Sequence, residues 1–243
     1  MISNQPLITL LLFTLLAGLA MPAGAILANL SQRFLHWKTS EIKHGIIAFG
    51  GGALLSAIAL ILVPQGIEHQ TIGSAAAYFL AGSIIFMLID IVLDKFKSTA
   101  SQLVAMLSDF IPEALALGTA IALGSPSSFL LALLMILQNL PEGFNAYNEL
   151  KQSSRISSLK IITLFILMSL VGPICGVVGY WWLADAPYAI SSIMLVAAGG
   201  ILYSVFQDIA PQAKLDRHWI PSLGATLGFL LGIVGHMSVL IGE

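Results

Sequence analysis

The sequence predicts an all-α polytopic membrane protein with eight transmembrane helices in an inverted 3+2+3 arrangement. Three observations lead there. Only 9% of the 243 residues are charged and 58% are hydrophobic, with a mean hydropathy of +0.95, whereas soluble domains carry about 25% charged residues. Apolar segments of about 20 residues, the length that crosses a bilayer, recur with short polar gaps between them. The first three of these segments also resemble the last three.

The segments lie at about 7–30, 44–66, 74–94, 102–123, 127–149, 159–183, 188–209 and 220–241. No soluble domain fits between them, so residues 1–243 read as one transmembrane domain. Helices one to three cover about 7–94, core helices four and five about 102–149, and helices six to eight about 159–241. In the first segment, Ala23-Gly24-Ala25 resembles a signal-peptide cleavage site. Met1 to Pro6 carry no Lys or Arg, which such a peptide needs, and the apolar run continues to Leu30. The stretch is therefore read as the first membrane helix.

Orientation comes from the basic residues. Arg33, Lys38 and Lys43 lie in the first gap, Lys95 and Lys97 in the third, Lys151, Arg155 and Lys160 around the fifth, and Lys214 and Arg217 in the seventh, which accounts for all 10 Lys and Arg. Cytoplasmic loops carry the Lys/Arg excess, so both termini are expected outside the cytoplasm. A net charge of −2 argues against a nucleic-acid partner. The single cysteine, Cys175, excludes an internal disulfide and a cysteine metal cluster.

Helix two reads Gly51-Gly52-Ala53-Leu54-Leu55-Ser56 and ends in Pro64-Gln65; helix seven reads Gly199-Gly200-Ile201-Leu202-Tyr203-Ser204 and ends in Pro211-Gln212. Pro22-Ala23-Gly24 in helix one answers to Pro173-Ile174-Cys175-Gly176 in helix six, and Phe79-Leu80-Ala81-Gly82 in helix three to Phe229-Leu230-Leu231-Gly232 in helix eight. A three-helix unit repeated after two more helices is inverted in the membrane. Inverted repeats with interrupted helices near the midplane mark secondary transporters.

Helices four and five carry the chemistry. Ser108-Asp109-Phe110-Ile111-Pro112-Glu113 and Gln138-Asn139-Leu140-Pro141-Glu142-Gly143 each place a Pro-Glu pair inside an apolar run, with a polar residue four before the Glu. Positions i and i+4 share a helix face. A carboxylate at membrane depth faces a polar interior and marks an ion or substrate path. Counted from the expected cytoplasmic ends at about 102 and 149, with a rise of about 1.5 Å per residue, Asp109 falls level with Glu142 and Glu113 level with Gln138. Pro112 and Pro141 each free a backbone carbonyl and are expected to bend the helix. Carboxylates, an amide and carbonyls suit hard divalent cations.

The polar face of helix five continues through Asn145 to Glu149, with Asn148 beside it, as an exit toward the cytoplasm. Gln207 and Asp208 on helix seven are candidates at its inner end. Asp90 and Asp94 are expected to pair with Lys95 or Lys97. Glu68 and His69 lie just outside helix two, His236 reads as a structural histidine, and His36, His44 and His218 are dispersed. No nucleophile–base or metal-protease motif accompanies the carboxylates, so the chain is not read as an enzyme and no cofactor is expected.

These residues carry a resemblance that covers essentially the whole chain. Paired Pro-Glu motifs in helices four and five, the Gly-rich helix two, Pro22 and the Gly-Gly-Ile-Leu-Tyr run of helix seven resemble the ZIP (Zrt/Irt-like) family of divalent metal transporters, in its bacterial form. The family's helix-four motif is His-Asn-x-Pro-Glu-Gly and its helix-five motif His/Gln-Glu/Asp-x-Pro-Glu-Gly. Pro112 and Glu113 match the first; Gln138, Pro141, Glu142 and Gly143 match the second. The resemblance implies transport of zinc or a related divalent metal into the cytoplasm, across a bacterial plasma membrane, by a homodimer whose partners are the metal and the lipid bilayer.

The departures are informative. Asp109 stands for the motif histidine, Phe110 for the asparagine, Ala114 for the glycine and Asn139 for a second carboxylate; Gly172-Pro173 stands where some bacterial members have a bridging Glu-Pro. The resemblance thus implies one metal site from Asp109, Glu113, Gln138 and Glu142, with Asn139, Asn145, Glu149 and Asp208 as weaker contributors, and no second site. Without an imidazole, preference is expected to move from zinc toward harder ions such as manganese or iron(II). The alternative reading is a ZIP-like membrane protein that has lost transport and serves as a binding or regulatory partner.

Overall fold

A computed structural model describes residues 5–34, 40–96, 99–153, 156–216 and 218–241. Lys38, Lys97, Arg155, Arg217 and His36 lie outside these residues, as do the side chains of Arg33 and Asp94. Among the described residues 91% are helical and none lies in a strand.

The helices run as rods. α1 is Gln5–Phe34. α2 joins Ser40–Ala57, a π turn Ile58–Leu62 and Val63–Ile67. α3 is Ile72–Phe96, α4 is Thr99–Ala122 and α5 is Ser127–Ser153. α6 joins Ser158–Ser169, Val171–Val178 and a π turn Gly179–Leu183. α7 joins Pro187–Ser204, a π turn Val205–Ile209 and Ala210–Ala213. α8 is Ile220–Ile241.

Among the described residues, 7 helices are long and apolar enough to cross a membrane. They are α1 to α3 and α5 to α8; α4 is not among them. The architecture is that of an all-α polytopic membrane protein.

The ends of the rods follow local rules. Ser157 caps α6 by accepting from the Lys160 amide. Pro187 opens α7, where its missing N–H costs nothing. Gly124, at φ 65, turns the chain between α4 and α5 in the left-handed region that side chains avoid.

The helices do not break at the prolines of α4 and α5, which stay helical through Pro112 and Pro141. The backbone ladder slips instead in the π turns of α2, α6 and α7. Two of these stand just before Pro64 and Pro211. A proline there has no N–H for the carbonyl four residues back, and the ladder takes up the slack as a π turn.

Glycine sets the spacing between rods. α2 packs along α8, α3 along α7, α1 along α5, and α4 along α6. A Cβ on Gly52 would stand 2.0 Å from the carbonyl oxygen of Ala225, and one on Gly24 2.0 Å from that of Leu140. Gly118 meets the Gly176 carbonyl at the same 2.0 Å. Backbones that close require small residues, as in other membrane bundles, and the contacts suit weak Cα–H···O bonds.

Burial separates the rods. Of the membrane window, 67% is buried in α2 and 56% in α5, but 22% in α8 and 11% in α3. The buried core gathers around α4 and α5.

Candidate functional site

α4 and α5 meet along the face that carries the Pro-Glu pairs. Glu113 is fully buried and Gln138 is 1% exposed. Gln138 Nε2 donates to both carboxylate oxygens of Glu113, at 2.6 Å each. The two residues are 25 apart in sequence, so the contact fixes the register of the two antiparallel helices. α5 is wedged in place behind it: the Pro141 ring lies against Gly50 of α2, where a Cβ would come within 2.8 Å.

Asp109 and Glu142 complete the group. Glu142 lies within electrostatic reach of Asp109 and Glu113, and Asp109 within reach of Glu113 and Asp208. Three buried side-chain oxygens have no hydrogen-bond donor among the described residues: Asp109 Oδ1, Gln138 Oε1 and Glu142 Oε1. All three belong to the residues named from the sequence. Neither the Lys214–Asp216 ion pair, at 3.7 Å, nor the His218–Glu41 hydrogen bond, at 2.5 Å, involves any of them.

The group is a neighbourhood rather than a closed coordination sphere. Among the described residues no three His, Cys, Asp or Glu side chains stand close enough to hold one metal ion. Glu113 is held by the Gln138 amide instead. An amide carries an acceptor oxygen beside its donor nitrogen, so rotation of Gln138 exchanges the bond to Glu113 for a ligand oxygen.

Two positions are spent on packing. Asn139, 1% exposed, donates Nδ2 to the carbonyl of Ala17 at 2.9 Å and ties α5 to α1. Phe110, also 1% exposed, fills the space beside Gly172 of α6: a Cβ on that glycine would lie 2.6 Å from the ring and 2.8 Å from the Thr14 carbonyl. The bulky ring and the missing side chain fit each other, and the pair walls off that side of the group.

Toward the C-terminal end of α5 the polar face continues. Asn145 donates Nδ2 to Gln212 Oε1 on α7. Asp208, in the π turn of α7, lies within electrostatic reach of Asp90 and Glu149. Glu149 is exposed, and Asn148 donates to the Phe144 carbonyl. Asp90 Oδ2 accepts from Tyr203 of α7 at 3.1 Å. Of the lysines expected to pair with it, Lys95 is exposed and Lys97 lies outside the described residues.

The remaining candidates stand apart. Gln207 is exposed, as are Glu68 and His69, whose ring tilts on Tyr188. His236 is half-buried on α8 and Cys175 half-buried on α6. Sequence reasoning missed Gln212 and Tyr203 as partners. It also missed Tyr147, fully buried, whose hydroxyl lies 2.9 Å from Asn29 Oδ1 and 2.8 Å from Ser158 Oγ. For Gln212 a signal existed in its place after the repeated Pro; for the tyrosines there was none.

No family model matches the chain, and no curated protein sequence does.

Proposed function

We propose that the protein is a ZIP-type transporter that carries a divalent cation across a membrane and into the cytoplasm. The supporting observation is the cluster of three buried oxygens without donors, from Asp109, Gln138 and Glu142 on two antiparallel helices, beside a third carboxylate, Glu113. A buried acceptor with no donor is costly, and so is a buried carboxylate without a counter-charge. A cation relieves both at once. The resemblance of the Pro-Glu motifs to the ZIP family gives the same reading.

The arrangement of rods supports the inverted 3+2+3 repeat, with α4 as the eighth span. α2 against α8 and α7 against α3 are equivalent pairs under that repeat, and so are α1 against α5 and α6 against α4. The Lys/Arg distribution puts both termini outside, in what the resemblance makes a bacterial plasma membrane. The cation is taken by Asp109, Glu142 and Glu113, with Gln138 turning its oxygen inward. It leaves along Asn145, Glu149 and Asp208. Neither Phe110 nor Gly172 offers a ligand for a second ion.

With oxygen donors only, the site favours hard cations. Zinc gains from nitrogen or sulfur ligands that it does not find here. Purified protein in liposomes, offered a panel of divalent ions, is expected to take up manganese or iron(II) at least as fast as zinc. Uptake of zinc alone, with manganese rejected, would overturn the preference; no uptake of any ion would overturn the transport reading.

A second reading stays in view because Glu113 is committed to Gln138 and no three acidic or imidazole groups close on one point. In it the protein binds a cation, or a partner, without moving either. Equilibrium metal binding without liposome uptake is its signature. Assembly as a homodimer belongs to the proposal, and is tested by mass measurement in detergent.

A further inference from the structure

The two half-repeats reach α5 with the same residue. α2 and α7 each run from a Gly-Gly step through a π turn into Pro-Gln. Gln65 Nε2 donates to Ser127 Oγ at 2.8 Å, at the first residue of α5. Gln212 Oε1 accepts from Asn145 Nδ2, further along the same helix. The contacts join residues 62 and 67 apart in sequence. Ser127 precedes Gln138 along α5 and Asn145 follows Glu142, so the two glutamines bracket the carboxylate group from opposite ends.

The two ends differ in what else closes them. The Gln65–Ser127 bond is partly buried, whereas the Asn145–Gln212 bond is exposed. The Gln65 carbonyl there also accepts from Ser191 of α7, at 3.4 Å. Beside Gln212, the neighbouring polar side chains are partly open to solvent. The Asn145–Gln212 contact lies across the polar stripe that leads away from the site. Each contact is a single neutral hydrogen bond next to a π turn, and π turns are frequent at functional positions within helices.

We propose that Gln65 and Gln212 are a matched pair of positioning residues. They latch α5 on either side of the cation site, and each contact must open in turn for the cation to pass. This rests on the transport reading above. At Gln65 and Ser127, which lie off the exit route, a latch held shut stops passage without touching the carboxylates, whereas a static anchor held shut changes nothing; the Asn145–Gln212 bridge, which lies on that route, is read together with Gln212→Leu.

The test is a reversible bridge. Two variants carry paired cysteines in a Cys175→Ser background: Gln65→Cys with Ser127→Cys, and Asn145→Cys with Gln212→Cys. A short bis-methanethiosulfonate spans each pair and is removed by reductant. In liposomes, each bridge is expected to lower manganese uptake at least tenfold and reductant to restore it, with manganese binding at equilibrium within about threefold of the unbridged protein. Bridged protein that transports within twofold of unbridged protein overturns the latches.

Should the paired cysteines silence uptake on their own, Gln65→Leu and Gln212→Leu decide. Each removes a hydrogen bond that has to open and is expected to change the uptake rate at least threefold with binding retained, and wild-type rates in both overturn the proposal. If wild-type liposomes take up none of the divalent ions offered, the transport reading itself falls, and the latches with it.

Discussion

α3 and α5 are both long enough to span a bilayer, and they are built in opposite ways. α3 has a hydropathy of 2.2 with 11% of its window buried; α5 has 1.2 with 56% buried. On α3, Leu80 is 60% and Leu88 52% exposed, while on α5 the amides Gln138 and Asn139 are each 1% exposed. In water this would be inside out. In hydrocarbon it is the expected order, because lipid leaves apolar side chains nothing to gain from burial and polar ones much to lose from exposure. The contrast belongs to this pair and is not a rule of the bundle: α2 has a hydropathy of 2.5 with 67% of its window buried, and α8 has 1.5 with 22%.

The sharpest way to break that contrast is to truncate a polar group on α5 and an apolar one on α3. Glu142→Ala is expected to lower cation uptake by at least about 100-fold, since even residues that merely support metal ligands are worth 10–100-fold. Leu88→Ala, on the exposed face of α3, is expected to leave uptake unchanged, and so is Glu68→Ala in its exposed turn. Liposome uptake normalised to folded protein checks all three. Normal uptake by folded Glu142→Ala protein removes α5 from the pathway.

Packing supplies the next contrast. Gly24 of α1 lies against the Leu140 carbonyl, one residue before Pro141, and a Cβ would stand 2.0 Å from that oxygen. Gly24→Leu has to push α1 off α5 and is expected to destabilise by about 3 kcal/mol or more, the upper part of the range for overpacking. Gly73, with nothing within 4 Å at the start of α3, takes alanine without strain. Thermal unfolding in detergent measures both. The lipid-facing side of α3 has its own limit: Leu88→Arg is expected to cost about 2.5–3.5 kcal/mol in apparent insertion free energy if it lies near the helix centre, read as loss of membrane-inserted protein.

Much of this was legible along the chain, for a physical reason. A span is declared by the local run of apolar residues, so the expected segments fall within a few residues of the rods. The Pro-Glu pairs were legible because a carboxylate in an apolar run has few other uses. What was not legible depends on neighbours far away in sequence. Asn139 has the same side chain whether it faces a cation or bonds the Ala17 carbonyl, and only the approach of α1 decides. Asp90 has lysines nearby in sequence, yet finds Tyr203 because α3 lies on α7. The π turns were hidden too, since a proline predicts a fault in the ladder without saying whether the helix kinks or widens.

The smallest expected effect sharpens the comparison inside the core itself, between α4 and α5. α5 carries Gln138 four residues before Glu142, while α4 carries Asp109 four residues before Glu113. If the four oxygen-bearing residues act as one site, the identity of residue 109 tunes which cation is preferred while Glu142 decides whether any is carried. Asp109→His exchanges an oxygen donor for a nitrogen donor and removes a negative charge. The zinc-to-manganese uptake ratio is expected to rise about tenfold, or about 1.4 kcal/mol in relative preference, with total uptake reduced less than by Glu142→Ala. Competition between the two ions in one liposome preparation measures the ratio directly. A ratio that does not move places Asp109 outside the cation's ligand shell, and leaves α4 contributing Glu113 alone.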